Sequence, residues 1–160
     1  MTSSRRRPLR PSFLVPSAAA LLLAAGCSGG SQPSVAVPTP SEDAVAYCSA
    51  LHKALPKTVA GLERGDPAPE SELTAAWGDG AIVLRCGVPR PAAMADAASK
   101  GIDADGVNWL LEQRPDEGPR FTTTYRKAYV EVSMGTRFAH DASPLAEFAK
   151  PVRETVPDSL

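Results

Sequence analysis

The 160-residue sequence lacks the residue patterns by which most catalytic and cofactor-binding proteins are recognised. It contains two histidines and three cysteines, with no CxxC pair and no glycine-rich loop able to bind a phosphate. It has no internal repeat. Its longest mostly apolar run, residues 13–25, is shorter than the roughly 20 residues that a membrane-spanning helix needs. These absences disfavour an enzyme, a cofactor and a retained transmembrane helix.

Acidic residues are also missing from the N-terminus, which has the order of a secretion signal. Arginines precede the apolar run and small residues follow it. Residues 21–27, LLLAAGC, resemble a bacterial lipobox, in which the cysteine thiol accepts a diacylglyceryl group and a signal peptidase cuts before it. We therefore predict a lipoprotein signal peptide over 1–26 and lipidation at Cys27. The alternative is an ordinary secreted protein that is cut nearby and keeps a spare cysteine.

The predicted lipid determines where the protein is expected. Two acyl chains hold a protein firmly on a bilayer, whereas one chain gives marginal binding. We expect the cell membrane, on its extracytoplasmic face, with the lipid on Cys27 as the membrane contact. Residues 4–10, SRRRPLR, also resemble a twin-arginine export motif. The general and the twin-arginine export routes both remain open.

Little positive charge remains once the signal is removed. Residues 1–26 contain four arginines and no acid, so the rest has 13 basic against 18 acidic side chains, a net charge of −5. Nucleic-acid binding requires clustered positive charge, and a basic membrane-binding face requires it too. We therefore expect no nucleic-acid partner, and attachment to the membrane through the lipid alone.

The mature chain divides into a tether and one domain. Residues 27–41 consist mostly of Ser, Gly, Pro, Gln, Thr and small apolar residues, which bury too little surface to fold. We predict a flexible tether there. The region 42–160, about 120 residues, is long enough for a single core and too short for two domains.

Two segments of the domain have helical spacing. The first begins after a hydroxyl N-cap, Ser41, and ends before Pro56, because the residue before a proline avoids the helical region. The second begins at 143–144 and carries apolar residues on one face as far as Val156. Pro151 lies inside the second segment and should kink or split that helix.

Alternating apolar residues between the helices predict strands. The alternating segments are 81–88, 107–111, 121–125 and 129–134, and 78–80 has the composition of a tight turn. Phe121, Thr123 and Tyr125 share one face, and the phase changes before Val130, which requires a turn or a bulge. We therefore predict an α+β fold: an antiparallel sheet of four to five strands packed with an N-terminal and a C-terminal helix.

Two cysteines remain when Cys27 is lipidated. Cys48 and Cys86 lie on the apolar faces of the first helix and of the strand 81–88, and the predicted compartment is oxidising. We predict a disulfide between them, worth roughly 4 kcal/mol in the chain-entropy model. The alternative is a zinc site, since His52 is four residues after Cys48; it would require a further ligand such as His140.

Three polar patterns in the sequence partly match known kinds of chemical site. His140-Asp141 could belong to a serine-type triad, 101–106 followed by Glu112 partly matches a calcium loop, and Glu112, Asp116 and Glu117 could pair for glycoside chemistry. A surface loop, a turn entering a strand and solvated acids explain them more simply. We expect no catalytic residue, no metal and no cofactor.

Two tryptophans and one arginine are the candidates for a binding surface. Tryptophan is a frequent binding anchor, which singles out Trp77 and Trp109, and Arg85 projects from the sheet face opposite Cys86. In the alternative interpretation, both tryptophans lie partly in the core and Arg85 forms an ordinary ion pair.

Several short motifs also occur in a specific order along the domain. They are Tyr47-Cys48, Leu51-His52, Leu55-Pro56, Ala76-Trp77-Gly78, Leu84-Arg85-Cys86-Gly87-Val88, Val107-Asn108-Trp109-Leu110 and 128–132. Over about residues 45–157 the sequence resembles the actinobacterial family called domain of unknown function 3515. The resemblance implies an envelope lipoprotein of uncharacterised role and supplies no catalytic or ligand-binding residues. Pro151 departs from the smoother closing helix that the resemblance implies.

The expected function is binding without catalysis, to a protein partner or a cell-wall component. The alternative is a hydrolase of cell-envelope material. A hydrolase requires a cleft in which His140 or two carboxylates converge, whereas a binding module requires an exposed patch around Trp77, Trp109 or Arg85.

Overall fold

The computed structural model describes residues 32–159; the signal peptide and Cys27 lie outside the described residues. Within these residues, one helix precedes the eight strands along the chain and a second helix follows them. Two short 3₁₀ turns lie at Ala92–Ala95 and Thr136–Phe138. In chain order the elements are α1 Glu42–Ala54, β1 Thr58–Val59, β2 Leu62–Gly65, β3 Thr74–Trp77, β4 Ile82–Cys86, β5 Lys100–Ala104, β6 Val107–Glu112, β7 Arg120–Thr123, β8 Val130–Met134 and α2 Leu145–Thr155.

The strands form one antiparallel sheet in the order β1-β2-β3-β4-β8-β7-β6-β5. The α+β prediction with a sheet and two helices is confirmed, but the predicted number of four to five strands is wrong, because the sheet has eight. The alternation of apolar and polar residues did not predict β1, β2, β3 and β5, and the reason lies in the length and burial of each strand. β1 and β2 are too short, β3 is buried on both faces, and β5 carries few apolar residues.

Short turns join several of the neighbouring strands. Ala60 and Gly61 between β1 and β2, and Asp105 and Gly106 between β5 and β6, all have positive φ values, between 50° and 78°. Positive φ at both central residues is the mark of a type I′ hairpin turn, for which Asp-Gly is a favoured pair. The predicted turn at 78–80 joins β3 to β4, with φ values of 56°, 54° and 88°.

Both helices pack on one face of the sheet. The predicted apolar face of α1, Ala44, Cys48, Leu51 and Leu55, is buried, and α2 buries Phe148, Val152 and the following Val156. Trp77 of β3 meets Phe148 edge-to-face at a centroid distance of 5.1 Å. This face therefore holds the hydrophobic core, and no helix formed by residues 32–159 packs on the opposite face, here called the helix-free face.

The closing helix continues through Pro151. α2 runs unbroken from Leu145 to Thr155 with Pro151 inside it, so the proline does not split the helix. The lost hydrogen bond and ring clash cost about 3 kcal/mol. Each fully buried large apolar side chain, such as Phe148 or Val152, contributes roughly 1.5–3 kcal/mol, which outweighs that cost.

The predicted hydroxyl cap is absent at α1, where Ser41 makes no side-chain hydrogen bond to the helix.

The predicted disulfide is confirmed. Cys48 and Cys86 are bonded through their sulfurs, with the Cα atoms 5.5 Å apart. The bond joins α1 to β4 across the core, where both residues are buried. Since each sulfur is bonded to the other, neither can serve as the thiolate ligand that the zinc alternative required.

Part of the predicted tether contacts the domain. Residues 33–40, here called the strap, pass over the helix-free face: Val35 is buried and donates its N–H to the carbonyl of Ala68 at 2.9 Å. Arg85 Nη1 is 3.5 Å from the carbonyl oxygen of Ala36. A Cβ on Gly80 would lie 2.8 Å from Pro33. Backbone hydrogen bonds and proline packing thus hold a segment whose composition indicated a free tether, so the tether prediction does not extend to these residues.

Candidate functional site

The two tryptophans of the predicted binding surface lie in the core. Trp77 and Trp109 are fully buried on the helix-covered face, and Trp77 Nε1 donates to the carbonyl of Pro56 at 3.2 Å. Neither ring can therefore serve as a surface anchor. Their faces are set by strand pairing, because Trp77 is the cross-strand partner of Ile82 and Trp109 alternates with Leu110, which faces the other way.

Arg85 does project from the helix-free face, as predicted, but into an ion-pair cluster. Its Nε lies 2.9 Å from Glu131 Oε1, and Arg120 Nε lies 3.8 Å from Glu131 Oε2. The Glu131 side chain is only 9% exposed. The charge of this nearly buried carboxylate is compensated by the two arginines, so the cluster offers no free ligand-binding group at its centre.

The other predicted polar patterns do not converge. His140 is exposed in a loop, and neighbouring Asp141 accepts the backbone N–H of Ser143 at 2.9 Å. Hydrogen bonds from the side chain and backbone of Ser143 lower the pKa of Asp141. Glu117 pairs with Arg114 three residues before it. Among residues 32–159 no group of three or more His, Cys, Asp or Glu side chains could hold a metal ion.

The calcium-like segment is a hairpin. Asp103 Oδ1 accepts the N–H of Gly106 at 3.2 Å, and Asp105 Oδ2 lies 3.3 Å from Arg153 Nη1. The first carboxylate closes the turn and the second is paired with a cation. The turn leads from β5 into β6 and not into the helix that a calcium loop requires.

A groove of about 410 Å³ lies on the helix-free face. Leu110 lies on this face because it is the cross-strand partner of Thr122, itself the partner of Glu131. Residues from the connection between β4 and β5, from the hairpin β5–β6 and from the segment between β7 and β8 meet there. Its lining includes Arg90, Asn108, Leu110, Tyr125 and Tyr129; Lys100 borders it too, but Lys100 is the partner of Leu111, so its side chain leaves β5 on the helix-covered side.

A glycine keeps the groove open at the hairpin. Gly101 of β5 is the partner of Leu110, so a side chain at this position would extend over the helix-free face. A Cβ built on Gly101 meets only the carbonyl oxygen of Trp109, at 3.6 Å, which is ordinary van der Waals contact. A larger residue therefore fits the strand and would occupy the groove.

Tyr125 stands at the edge of the groove on an unusual backbone. Its φ is 56° and it is 57% exposed, although bulky residues rarely adopt the left-handed conformation. The predicted phase change between Tyr125 and Val130 is thus a turn, and Tyr125 does not share a strand face with Phe121, since β7 ends at Thr123. The C-terminal segment holds this turn: Ser159 donates its N–H to the carbonyl of Tyr125 at 2.9 Å.

The charged side chains around the groove differ in the hydrogen bonds and ion pairs that they make. Arg90 and Lys100 make no ion pair with any of residues 32–159. Arg90 donates one hydrogen bond, from Nη2 to the carbonyl of Met94 at 3.1 Å. The carboxylate at the groove, Asp96, accepts the N–H of Ala98 at 2.8 Å. The groove therefore has one cation without an ion pair among the described residues, Arg90, beside the carboxylate of Asp96.

Sequence reasoning missed this site. Arg90, Gly101 and Tyr125 belong to segments that are far apart in the chain and have no common motif. One signal was present: Asp105-Gly106 is a favoured hairpin pair, and it could have located β5 and the hairpin that carries Gly101.

The fold and site define an α+β domain with a disulfide across its core and a groove on its helix-free face. A sequence profile of the family described as "Protein of unknown function (DUF3515)" matches residues 13–160. The chain belongs to this family, as its motifs indicated. No curated protein and no solved structure matches the chain. Within residues 32–159 no helix has the length and apolar character needed to cross a bilayer.

Proposed function

We propose that this protein is a cell-envelope lipoprotein that acts by binding, with the groove on the helix-free face as its ligand site. The observation that carries the proposal is the groove itself. It combines an open floor at Gly101, exposed Tyr125 and the cation Arg90, which makes no ion pair with another described residue. A concave site with a few polar groups and aromatic side chains is the usual form of a small-molecule site.

The envelope location is supported by the signal sequence and by the disulfide. Disulfides persist in oxidising compartments and are rare in the cytosol. The buried bond between Cys48 and Cys86 therefore fits a protein that is exported before it functions. Cys27, in its lipobox-like context, would then carry the lipid.

The strap orients the domain in this proposal. Cys27 precedes Pro33 by six residues, which span at most about 20 Å when extended. Pro33 packs at Gly80, in the turn between β3 and β4. The groove is lined by Tyr129, whose carbonyl accepts the N–H of Gly87, just after the other end of β4. The turn end of the sheet would face the bilayer, and the groove would open at the end away from it.

A non-catalytic role is part of the proposal. The hydrolase alternative required converging carboxylates or a histidine in a cleft. His140 and Asp141 line a small groove of about 220 Å³ whose lining contains no Ser, Thr or Cys and no second carboxylate. Glu131, the buried carboxylate, is neutralised by Arg85 and Arg120. These contacts favour binding over hydrolysis as the use of the domain.

Two measurements test the proposal. Mass spectrometry of the protein extracted from membranes should show a diacylglyceryl-modified Cys27 as the N-terminal residue, and Cys27→Ala should release the protein from the membrane fraction. Purified cell-wall material should bind the native domain and bind Gly101→Val less, since that substitution fills the groove. An unmodified N-terminus would contradict the anchor. Equal binding by both forms would contradict the site.

A further inference from the structure

We infer that the outer edge of β5 binds an extended peptide of a partner protein as an added strand, whose side chains enter a groove on each side of the sheet. This inference deepens the proposed function and rests on it, because the groove on the helix-free face is one of the two. β5 lies at the end of the sheet and has β6 as its only neighbour among the described strands. In strand addition, main-chain hydrogen bonds supply affinity, and pockets for alternate side chains supply specificity.

The turn between β5 and β6 determines which backbone groups of β5 point away from the sheet. Ala104 and Val107 flank this two-residue turn and are cross-strand partners, and in such a turn the carbonyl of the first accepts the N–H of the second. Bonded and non-bonded pairs alternate along antiparallel strands. Gly101 and Asp103 therefore belong to non-bonded pairs, and their N–H and C=O groups point outward from the sheet.

The observed hydrogen bonds agree with this assignment. Asn108, the partner of Asp103, accepts the N–H of Thr124 with its carbonyl at 2.9 Å, so its backbone faces β7 and not β5. Among residues 32–159, no hydrogen bond outside the pairing with β6 uses the N–H or C=O of Gly101 or Asp103, and both residues are exposed. The edge therefore offers two donors and two acceptors at the spacing that an antiparallel strand requires.

A groove lies on each side of this edge. On the helix-free side, Gly101 borders the groove of about 410 Å³. On the helix-covered side, to which Ile102 projects as the partner of Trp109, Ile102 lines the small groove of about 220 Å³ together with Phe121 and Phe138. Successive residues of a strand point to opposite faces of a sheet, so neighbouring side chains of the added peptide would reach different grooves.

The residues of β5 indicate which side chains an antiparallel peptide should carry. The eight strands pair antiparallel throughout, and antiparallel pairing is the more stable per residue. The bare backbone of Gly101 leaves room for an aromatic side chain opposite it, and the apolar small groove suits a leucine opposite Ile102. Lys100 and Asp103 make no ion pair with any of residues 32–159, so an acid opposite the first and a base opposite the second complement them. From its N-terminus, the peptide is basic, apolar, aromatic and acidic.

The small size of the edge favours a peptide over a second copy of this chain. β5 has five residues, whereas each partner in a stable protein–protein interface contributes roughly 20–30 residues. Charged side chains on an edge strand also hinder pairing between copies, and β5 carries Lys100 and Asp103. The strand at the other end of the sheet, β1, has only two residues and offers too little backbone for either partner.

The test is an NMR titration of the mature protein, with Cys27→Ala so that no detergent is needed, using the end-blocked peptide TKLFET. The peptide should bind, and the amide hydrogens of Gly101 and Asp103 should then exchange more slowly with solvent, because they become hydrogen-bonded. N-methylation of its lysine and phenylalanine, whose N–H groups would face β5, should weaken binding at least about tenfold. N-methylation of its leucine, whose N–H would face away, is the matched control and should weaken binding less than about threefold.

Variants of β5 separate binding from folding. Gly101→Pro removes one outward N–H at a position where an edge strand tolerates proline, so it should weaken TKLFET about tenfold while the protein stays folded. Gly101→Ala keeps that N–H, and its Cβ meets only the carbonyl oxygen of Trp109 at 3.6 Å, so it is the matched control. Asp103→Asn should weaken TKLFET about two- to threefold and leave the affinity for TQLFET unchanged, because only the first peptide places a base opposite this carboxylate.

The outcomes distinguish the peptide from the binding role of the groove. The inference would be overturned by the absence of TKLFET binding at about 1 mM, or by equal weakening from the two kinds of N-methylation. A dimer in sedimentation analysis that already protects the amides of Gly101 and Asp103 would also overturn it, since a second copy would then occupy the edge. If wall material still bound the native protein more than Gly101→Val in those cases, the proposed function would stand with a different ligand. Binding of TKLFET that Gly101→Val does not weaken would overturn both.

Discussion

Removal of the disulfide between Cys48 and Cys86 is expected to cost a large part of the stability of the domain. The two residues are 38 apart in sequence, and the loop-closure model then gives a loss of about 4 kcal/mol when the bond is opened. The free energy of unfolding of a native domain is typically about 5–15 kcal/mol. The reduced protein should therefore keep a free energy of unfolding of about 1–11 kcal/mol.

The size of the effect can be measured in two ways. With an unfolding entropy of about 2.1 cal/mol/K per residue, a loss of 4 kcal/mol lowers the Tm of a domain of this length by about 15 °C. With an m-value of about 2 kcal/mol/M, the urea midpoint falls by about 2 M. Oxidised and reduced native protein should be compared by circular dichroism, and the reduced protein with the double variant Cys48→Ala/Cys86→Ala.

The double variant also separates chain entropy from packing. Both cysteines are buried, so alanine leaves small cavities and should make the variant somewhat less stable than the reduced native chain. A change in the free energy of unfolding below about 1 kcal/mol on reduction would refute the reasoning. It would mean that the unfolded chain keeps α1 and β4 together without the bond.

Three further predictions concern the sheet, the groove and the strap. Gly101→Val should raise the free energy of unfolding by about 0.5–1 kcal/mol, because glycine weakens a strand and a Cβ at this position meets only the carbonyl oxygen of Trp109, at 3.6 Å; a lower Tm would contradict this. Glu131→Gln should lower the free energy of unfolding by about 1–3 kcal/mol, since the substitution leaves two partly exposed arginines without their carboxylate. The control Glu154→Gln, in an exposed pair, should change the free energy of unfolding by less than about 0.5 kcal/mol. In vesicles that hold the lipidated protein, a fluorophore on Asp79→Cys should be quenched by brominated lipid more than one on Lys127→Cys; the reverse order would contradict the proposed orientation.

Much of the architecture could be predicted from local pattern. The apolar faces of α1, β4 and α2 are visible in the sequence, because burial on one side of an element imposes its own period. The disulfide followed from the same patterns, since Cys48 and Cys86 both lie on predicted core faces. Periodicity failed at β3, which is buried on both faces, and at β5, which is mostly exposed.

The strap and the tryptophans show a second limit. Residues 33–40 have the composition of a tether, yet backbone bonds to the loop before β3 hold Val35 in place. Tryptophan is a residue type that often anchors binding surfaces, yet strand pairing directs Trp77 and Trp109 toward the helices, where both are buried. Composition describes what a segment can do alone, and contacts with distant segments changed the outcome in both cases.

The sequence by itself determined the export signal pattern, the acidic charge, the faces of the main elements, the cysteine pair and the membership in the family. These are properties of short segments or of the whole composition. The tertiary structure alone decided the order of the eight strands and the groove, because Arg90, Asn108 and Tyr125 come together only when the connection between β4 and β5 reaches the far edge of the sheet. Residues that become neighbours only because distant strands pair show no periodic pattern in the sequence.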